Sequence, residues 1–229
     1  MKKVLFLMAA LGCSFAGISQ TSKSFNVSNF NRLDIGSAFT INVTKGPFKV
    51  VASGRDEELK ELVADVNNGE LSIHYKDSKG WNMWNNRKDV TLTITMPALR
   101  AIDFSGATTS KISGFTSKQF DIDLSGASNS VIDVSADMVT VECSGASDLV
   151  LRGDADQLKV NISGASELKA NDFKVSEAVV EASGASDAKL NVLNKLVANA
   201  SGASDIRYRG KVSNVKKSSS GSSSVKLVE

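Results

Sequence analysis

The 229-residue chain is poor in several residue types, and each shortage excludes a class of protein. Two cysteines cannot build a disulfide scaffold, and two prolines do not fit a chain made mostly of irregular loops. Aromatic residues make up only 6% of the chain, which does not suit a core filled by large rings. A formal net charge of +2 excludes a strongly basic nucleic-acid binder. The single histidine, His74, alternates with apolar neighbours in a predicted strand, and we expect it to be a surface residue.

The first 19 residues have the pattern of a secretory signal peptide. Two lysines precede an almost wholly apolar stretch, residues 4–17, and small and polar residues follow it. Removal of residues 1–19 leaves 25 basic and 25 acidic residues, so the exported chain is neutral overall. We expect a protein of the periplasm, the outer-membrane surface or the extracellular space. A lipid anchor on Cys13 is not favoured, because Leu11 occupies a position that usually holds a small residue.

The rest of the chain offers neither a membrane span nor a disulfide. No second apolar stretch approaches the ~18 residues needed to cross a bilayer. If Cys13 leaves with the signal peptide, Cys143 has no partner. Because Cys143 alternates with Val139 and Val141, we expect a small buried side chain and not a reactive thiol.

The 17 glycines mark an internal repeat. Ser-Gly-Ala followed by Ser or Thr occurs six times at spacings of 18 to 20 residues, and a degraded copy begins at Ser220. Glycine permits the positive φ of a tight corner, we expect alanine to fit inside that corner, and serines can hydrogen-bond the turn. The six copies begin at Ser105, Ser125, Ser144, Ser163, Ser183 and Ser201.

Apolar residues alternate with polar ones on both sides of each corner. Period-two alternation indicates strands with one buried face, as at Val160 and Ile162 before a corner and Leu168 and Ala170 after it. A unit of about 19 residues cannot bury such a face alone and must stack on its neighbours. The sequence therefore predicts an all-β fold, a parallel β-solenoid whose narrow core of Val, Ile, Leu and Ala explains the aromatic shortage.

An out-of-line first copy indicates a cap at the N-terminal end. Residues 33–43 overlay residues 102–112 without a gap, except that Ser and Gly exchange places. The insertion between them predicts a strand at 48–52, a short helix at 56–63 and antiparallel strands at 71–75 and 90–96. We predict one domain over residues 20–229: the cap and first coil at 20–100, regular coils at 101–217 and a polar, degenerate last coil at 218–229.

Several motifs together resemble the bacterial head GIN domain family. They are the Ser-Gly-Ala-Ser array, the opening Phe25-Asn26-Val27, the step from Asn68 to Ile73 and the step Met96-Pro97-Ala98-Leu99. The family's members are labelled autotransporter adhesins and are common in Bacteroidota. The resemblance implies a right-handed parallel β-helix in an exported protein, and it implies neither an enzymatic activity nor catalytic residues.

Two ladders of acidic side chains are expected on the outside of the solenoid. Asp103, Asp123 and Glu142 lie two residues before their corners, and stacked carboxylates could bind a cation such as Ca²⁺. The favoured interpretation is a solvated face, so no metal or cofactor is expected. The second ladder is neutralised by basic residues two positions further along and is interpreted as structural: Asp148, Glu167, Asp187 and Asp205, with Lys169, Lys189 and Arg207.

Both tryptophans of the chain lie in one polar segment between two predicted strands. Trp81 and Trp84, with Asn82 and Asn85, are residue types that stack on sugar rings or anchor a partner. The competing interpretation is that the tryptophans pack back over the cap.

The function indicated by these features is a non-catalytic exported binding or adhesion module of the cell envelope or surface. Its partner would be a polysaccharide or an envelope protein, bound through repeated faces or the tryptophan segment, and no nucleic acid is expected. One alternative is a structural or envelope-stress component that binds another envelope protein. A carbohydrate-active enzyme is the other, but repeated acids do not provide the unequal pair of carboxyls that hydrolysis needs.

Overall fold

The computed structural model describes residues 21–76 and 89–228, and this part of the chain is built almost wholly from strands. Its only α-helix, α1, is Asp56–Glu61. The strands are β1 (Thr21–Phe25), β2 (Arg32–Ile35), β3 (Phe39–Lys45), β4 (Lys49–Gly54), β5 (Leu62–Asn67), β6 (Glu70–Tyr75), β7 (Val90–Met96), β8 (Ala101–Phe104), β9 (Thr109–Leu124), β10 (Asn129–Cys143), β11 (Asp148–Ile162), β12 (Glu167–Ala182), β13 (Asp187–Ala200), β14 (Asp205–Arg209), β15 (Asn214–Ser219) and β16 (Ser224–Leu227).

The predicted β-solenoid is confirmed, with about seven turns of ~19 residues. Strands β9 to β13 each contain 14 to 16 residues and pair in parallel, one coil above the next. Residues one repeat apart share a column, and one inward column runs through Leu124, Cys143, Ile162 and Ala182. Its members are at most 3% exposed, so the stacked columns form one continuous core. Cys143 is buried, as expected.

The Ser-Gly-Ala-Ser corners stack so closely that only glycine fits. Gly145 has φ +75°, and a Cβ placed on it would lie 2.4 Å from the carbonyl oxygen of Gly126. That same carbonyl accepts a hydrogen bond from the amide of Ala146 at 2.7 Å. The corner glycine therefore provides both the left-handed turn and the space for the coil below.

The expectation that alanine fills the inside of the corner is wrong. Ala146 is exposed, whereas the following residue, Ser147, is fully buried. The Ser147 hydroxyl donates to the carbonyl of Ser144 at 2.8 Å, and Ser128 and Ser186 make the same bond to the serine three residues earlier. The glycine turns the chain so that the fourth residue points inward, where a hydroxyl can bond the turn carbonyl.

The N-terminal end corrects a second expectation, because the order of the coils differs from the order of the sequence. Strands β6 and β7 pair in parallel with β2 and β3, which in turn pair in parallel with β8 and β9. The strands predicted at 71–75 and 90–96 thus form a coil of the solenoid. They are antiparallel only on their other side, where β5 pairs β6 and β4 pairs β7. Strand β1 then adds antiparallel to β4.

The short helix ends earlier than predicted. It stops at Glu61, and Leu62 is already extended, with ψ 137°. Leu62 and Val63 instead begin β5 and pair with Tyr75 and His74 of β6. Pairing with this strand outweighs the helical periodicity of two residues. No helix in residues 21–76 or 89–228 is long and apolar enough to cross a membrane.

Candidate functional site

The acidic ladder is a column of carboxylates on one outward face of the solenoid. Asp34, Asp103, Asp123 and Glu142 occupy successive coils in exact register. The structure therefore brings together the three residues that the sequence analysis placed in one column. Beyond Glu142 the same column continues through Asn161, Glu181 and Asn199, of which only Glu181 is acidic.

Three members of the ladder, Asp103, Asp123 and Glu142, line a shallow groove of about 460 Å³, here called the acidic groove. Asp121 lies on the same face, where its carboxylate accepts hydrogen bonds from Gln119 Nε2 at 3.0 Å. Arg32 contributes a cation, but its guanidinium lies 3.6 Å from the carboxylate of Glu70 and is engaged there. The polar residues lining the groove are Arg32, Glu70, Asp103, Gln119, Asp121, Asp123, Thr140 and Glu142.

The carboxyls of the ladder are held in an unfavourable electrostatic setting. Partial burial raises the pKa of Asp103 above its usual value, and the charges of Asp123, Asp34 and Glu70 raise it further. Burial and the charge of Glu142 likewise raise the pKa of Asp123. Among the described residues, no lysine, arginine or histidine forms a salt bridge with Asp103, Asp123 or Glu142. Within the described residues, the negative charge of these three carboxylates therefore has no salt-bridge partner.

The geometry does not favour the calcium alternative. A metal ion needs ligands that converge on one point, whereas stacked strands place their carboxylates along a line about 4.8 Å apart. In the part of the chain that the structure describes, no group of three or more His, Cys, Asp or Glu side chains could hold a metal ion. The carboxylates of the ladder are therefore spread along a line and do not surround one point.

The second ladder is neutralised at three of its four acids, as the sequence analysis expected, whereas Asp148 forms no salt bridge with any described residue. This paired ladder consists of Glu167, Asp187 and Asp205 with Lys169, Lys189 and Arg207. Glu167 lies 2.8 Å from the ammonium groups of both lysines, and these hydrogen bonds lower its pKa. Arg207 lies 3.3 Å from Asp187 and 2.8 Å from Asp205, so one guanidinium bridges two coils. A hydrogen bond from Ser224 is the main cause of the lowered pKa of Asp205.

Two single residues behave as ordinary structural groups. Burial, followed by the charge of Asp123, raises the pKa of the Cys143 thiol to about 12, so the reactive thiolate is suppressed. His74 is half exposed on β6, and its ring lies 3.9 Å from Asp65.

The predicted binding residues Trp81, Asn82, Trp84 and Asn85 lie outside the described residues. The flanking strands show where their segment joins the column: Ile73 pairs with Ile35 and Val90 pairs with Phe39.

Sequence reasoning missed Asp34 as a member of the ladder, and it missed Arg32 and Glu70 as parts of the groove. They belong to coils whose axial order differs from their order in the chain, so counting repeats could not place them. One signal was present for Asp34, because the gapless overlay of residues 33–43 on 102–112 sets it opposite Asp103.

Comparisons with known proteins agree with this architecture. A family model described as "Putative auto-transporter adhesin, head GIN domain" matches residues 29–212. No protein in the curated set matches the sequence. Because all the identities below are under 25%, the structural similarities establish the fold alone.

Three solved structures superpose over nearly the whole chain. A "putative adhesin" from Bacteroides fragilis has a TM-score of 0.84 and 22% identity, covering 92% of this chain and 98% of that one. A "putative adhesin" from Parabacteroides merdae has a TM-score of 0.74 and 16% identity, covering 93% and 98%. A "putative lipid binding protein" from Parabacteroides distasonis has a TM-score of 0.63 and 16% identity, covering 93% and 98%.

Proposed function

The chain belongs to the head GIN domain family, and we propose that it is a non-catalytic adhesion module of the cell envelope or surface. The observation that carries this proposal is the acidic groove, a polar surface that extends over several coils of a rigid column. Binding along such a face gains affinity by repeating weak contacts at a fixed spacing.

The chemistry of the groove limits what it can bind. Ionised carboxylates only accept hydrogen bonds, so a partner must offer hydroxyls, amides or cations. Asp103 and Asp123 lack cationic partners among the described residues and are partly removed from water, which strengthens a new hydrogen bond. Polysaccharide hydroxyls and the basic side chains of an envelope protein both meet this requirement.

A role in hydrolysis is disfavoured by the similarity of the two best-placed acids. A glycosidase needs one carboxyl that keeps its proton and one that stays ionised, on opposite sides of the bond that it cleaves. The pKa values of Asp103 and Asp123 are raised by the same main cause, and both side chains lie on one face. The pair therefore suits binding better than acid–base chemistry.

The experiment that tests the proposal applies the intact exported protein to a polysaccharide array and to envelope proteins in a pull-down. We expect saturable binding to one of the two classes, with no new reducing ends and no unsaturated sugar products. Binding to an envelope protein alone would favour the structural or envelope-stress role. Sugar release would establish an enzyme, and saturable binding to neither class would overturn the proposal.

The tryptophan segment remains a prediction that the same assay can test. A Trp81→Ala/Trp84→Ala double variant should lose affinity if these rings contact the ligand. A double variant that keeps both its stability and all its binding would remove the segment from the site.

A further inference from the structure

The outward side chains of three neighbouring strands form an uncharged face near the N-terminal end of the column. Strand β7 pairs in parallel with β3, and β3 pairs in parallel with β9. Inward residues such as Ile41 and Leu92 are fully buried, so the residues that alternate with them point outward. This surface, here called the threonine face, consists of Thr91, Thr93 and Thr95 of β7, Thr40, Asn42 and Thr44 of β3, and Thr109 of β9.

Threonine is concentrated on this face more than its general preference for strands explains. The chain contains ten threonines, and six of them lie on the threonine face. Threonine suits any half-buried strand, yet none occurs after Thr140, although strands β11 to β16 follow. The outward column of Thr40 and Thr109 instead continues into Asp148 and Glu167. One outward face thus changes along the column from neutral hydroxyls to charged side chains.

The fold itself uses few of these hydroxyls. Thr95 donates from Oγ1 to the carbonyl of Pro47 at 2.5 Å. Within residues 21–76 and 89–228, the other five threonines of the face form no side-chain hydrogen bond. The corner serines differ, since the hydroxyl of Ser147 is buried and donates to the carbonyl of Ser144. The hydroxyls of the threonine face are therefore available to a ligand.

The chemistry of threonine suits a neutral sugar. Its hydroxyl both donates and accepts hydrogen bonds, as the hydroxyls of a sugar do. Its β-branched side chain is stiff at χ1, so little rotamer freedom is lost when a ligand binds. Its methyl group can pack against the C–H groups of a sugar ring. Because the face carries no charged side chain, it offers no ionic contact that would favour a charged polymer.

The spacing of the hydroxyls favours an extended glycan. Paired strands lie about 4.8 Å apart, close to the advance of about 5 Å per sugar in a β-1,4-linked chain. The row Thr91, Thr40 and Thr109 can therefore contact successive sugars. A sheet face is open on one side and cannot enclose a single chain. A flat layer of packed chains can contact all three strands at once.

We propose that the threonine face binds the flat surface of an insoluble, uncharged β-1,4-linked polysaccharide. Each copy makes a small contact, and many copies on one cell surface add their contacts together. The proposal goes beyond the acidic groove and does not depend on it. The two surfaces use different parts of β9, because residues 109–113 lie beside β3 and residues 121–124 pair with β8.

Other occupants fit the threonine face less well. Its seven residues are far fewer than the roughly 20–30 per side that a stable protein interface uses, which disfavours a second copy of the chain. An anionic membrane surface attracts clusters of basic side chains, and the face has none.

Co-sedimentation of the intact exported protein with microcrystalline cellulose and with chitin tests the proposal. We expect saturable binding to at least one of these two solids. Granular starch should bind none of the protein, because its α-linked chains coil and lack the extended repeat. Binding to neither cellulose nor chitin, or equal binding to starch, would overturn the proposal.

Matched variants test whether the hydroxyls make the contact. Thr40→Val/Thr93→Val/Thr109→Val removes three exposed hydroxyls but keeps the β-branched shape, so the melting temperature should stay within about 3 °C of the wild type. We expect this variant to bind about fivefold more weakly or worse. The corresponding triple serine variant keeps the hydroxyls and should bind more tightly than the valine variant. Thr116→Val is the control, since Thr116 is exposed on β9 outside the face. Wild-type binding by the valine variant, or an equal loss in Thr116→Val, would overturn the proposal.

Two further measurements separate this site from the groove and from self-association. Asp123→Asn should leave binding to cellulose and chitin unchanged, and a loss equal to that of the valine variant would overturn the proposal by assigning the binding to the groove. Sedimentation velocity of the protein alone should show no dimer that the valine variant dissociates, and such a dimer would overturn the proposal in favour of a second copy. Loss of array and pull-down binding with cellulose or chitin binding retained would instead count against the groove alone.

Discussion

The acidic ladder and the paired ladder stand on the same column and differ in their partners. Both stack carboxylates at the spacing of parallel strands, about 4.8 Å. In the paired ladder Lys189 and Arg207 bridge the coils, and the pKa of Glu167 is lowered. In the acidic ladder no described cation pairs with Asp123, and its pKa is raised. A surface that served only stability could have been neutralised in the same way, and this difference supports our proposal that the acidic ladder is the binding surface.

Disturbing a corner should have the largest effect, because each corner holds both ladders in register. In Gly145→Ala the new methyl would lie 2.4 Å from the Gly126 carbonyl oxygen, at a φ that favours glycine. We expect a loss of about 3 kcal/mol from strain and overpacking, which lowers the melting temperature by roughly 6–12 °C. Thermal unfolding followed by circular dichroism measures it.

Gly46 provides the matched control for this prediction. A Cβ on Gly46 would meet Thr95 Cβ at 3.4 Å, and its φ is not in the left-handed region. Gly46→Ala should therefore change stability by less than about 1 kcal/mol. Equal losses in the two variants would contradict the close stacking of the corners.

Removing the bridging cation should make the paired ladder resemble the acidic one. Arg207→Met keeps an apolar stem but leaves Asp187 and Asp205 stacked without their guanidinium. We expect a loss of about 0.5–1 kcal/mol in urea unfolding at low salt, and a smaller loss in 1 M salt. Arg152→Met is the control, since Arg152 forms no salt bridge with any described residue. If both substitutions cost the same, the bridge does not neutralise the ladder.

Neutralising one carboxylate of the acidic ladder should raise the stability of the protein, whereas removing Arg207 from the paired ladder should lower it. Asp123→Asn removes repulsion from Asp103 and Glu142, and the same column already holds asparagine at Asn161. We expect a gain of about 0.5–1 kcal/mol at pH 7, since neighbouring charges at this spacing repel by about 0.9 kcal/mol in water. Urea unfolding of the variant and the wild type measures it.

The pH dependence of this gain follows from the raised pKa of Asp123. The native state holds the proton more tightly than the unfolded state, so wild-type stability falls as pH rises from the unfolded pKa to the higher native one. The advantage of Asp123→Asn should therefore be full at pH 7 and disappear near pH 3, below the unfolded aspartate pKa of about 3.9. Asp187→Asn should instead destabilise the protein at pH 7, because it removes a partner of Arg207. A destabilising Asp123→Asn would show that the ladder is compensated after all.

The repeat made the solenoid predictable, because glycine, serine and alternating apolar residues at a fixed spacing leave few other folds. Sequence also placed Asp103, Asp123 and Glu142 in one column, since they share one position in the repeat. The sequence did not reveal the order of the coils at the N-terminal end. The neighbour of β2 depends on where the chain returns to the column after α1, and the repeat contains no information about that return. Sequence reasoning assigned Leu62 and Val63 to the helix, because pairing with β6 is a long-range interaction that local periodicity does not contain.

The most direct test of the account compares binding by two triple variants of the intact protein. One neutralises the acidic ladder, Asp103→Asn/Asp123→Asn/Glu142→Gln, and the other neutralises the paired ladder, Glu167→Gln/Asp187→Asn/Asp205→Asn. The ligand is the polysaccharide or envelope protein that the array or pull-down identifies. We predict that the first variant binds it about tenfold more weakly or worse and that the second stays within about twofold of the wild type. Equal losses, or a loss confined to the second variant, would contradict the claim that the acidic groove is the binding surface.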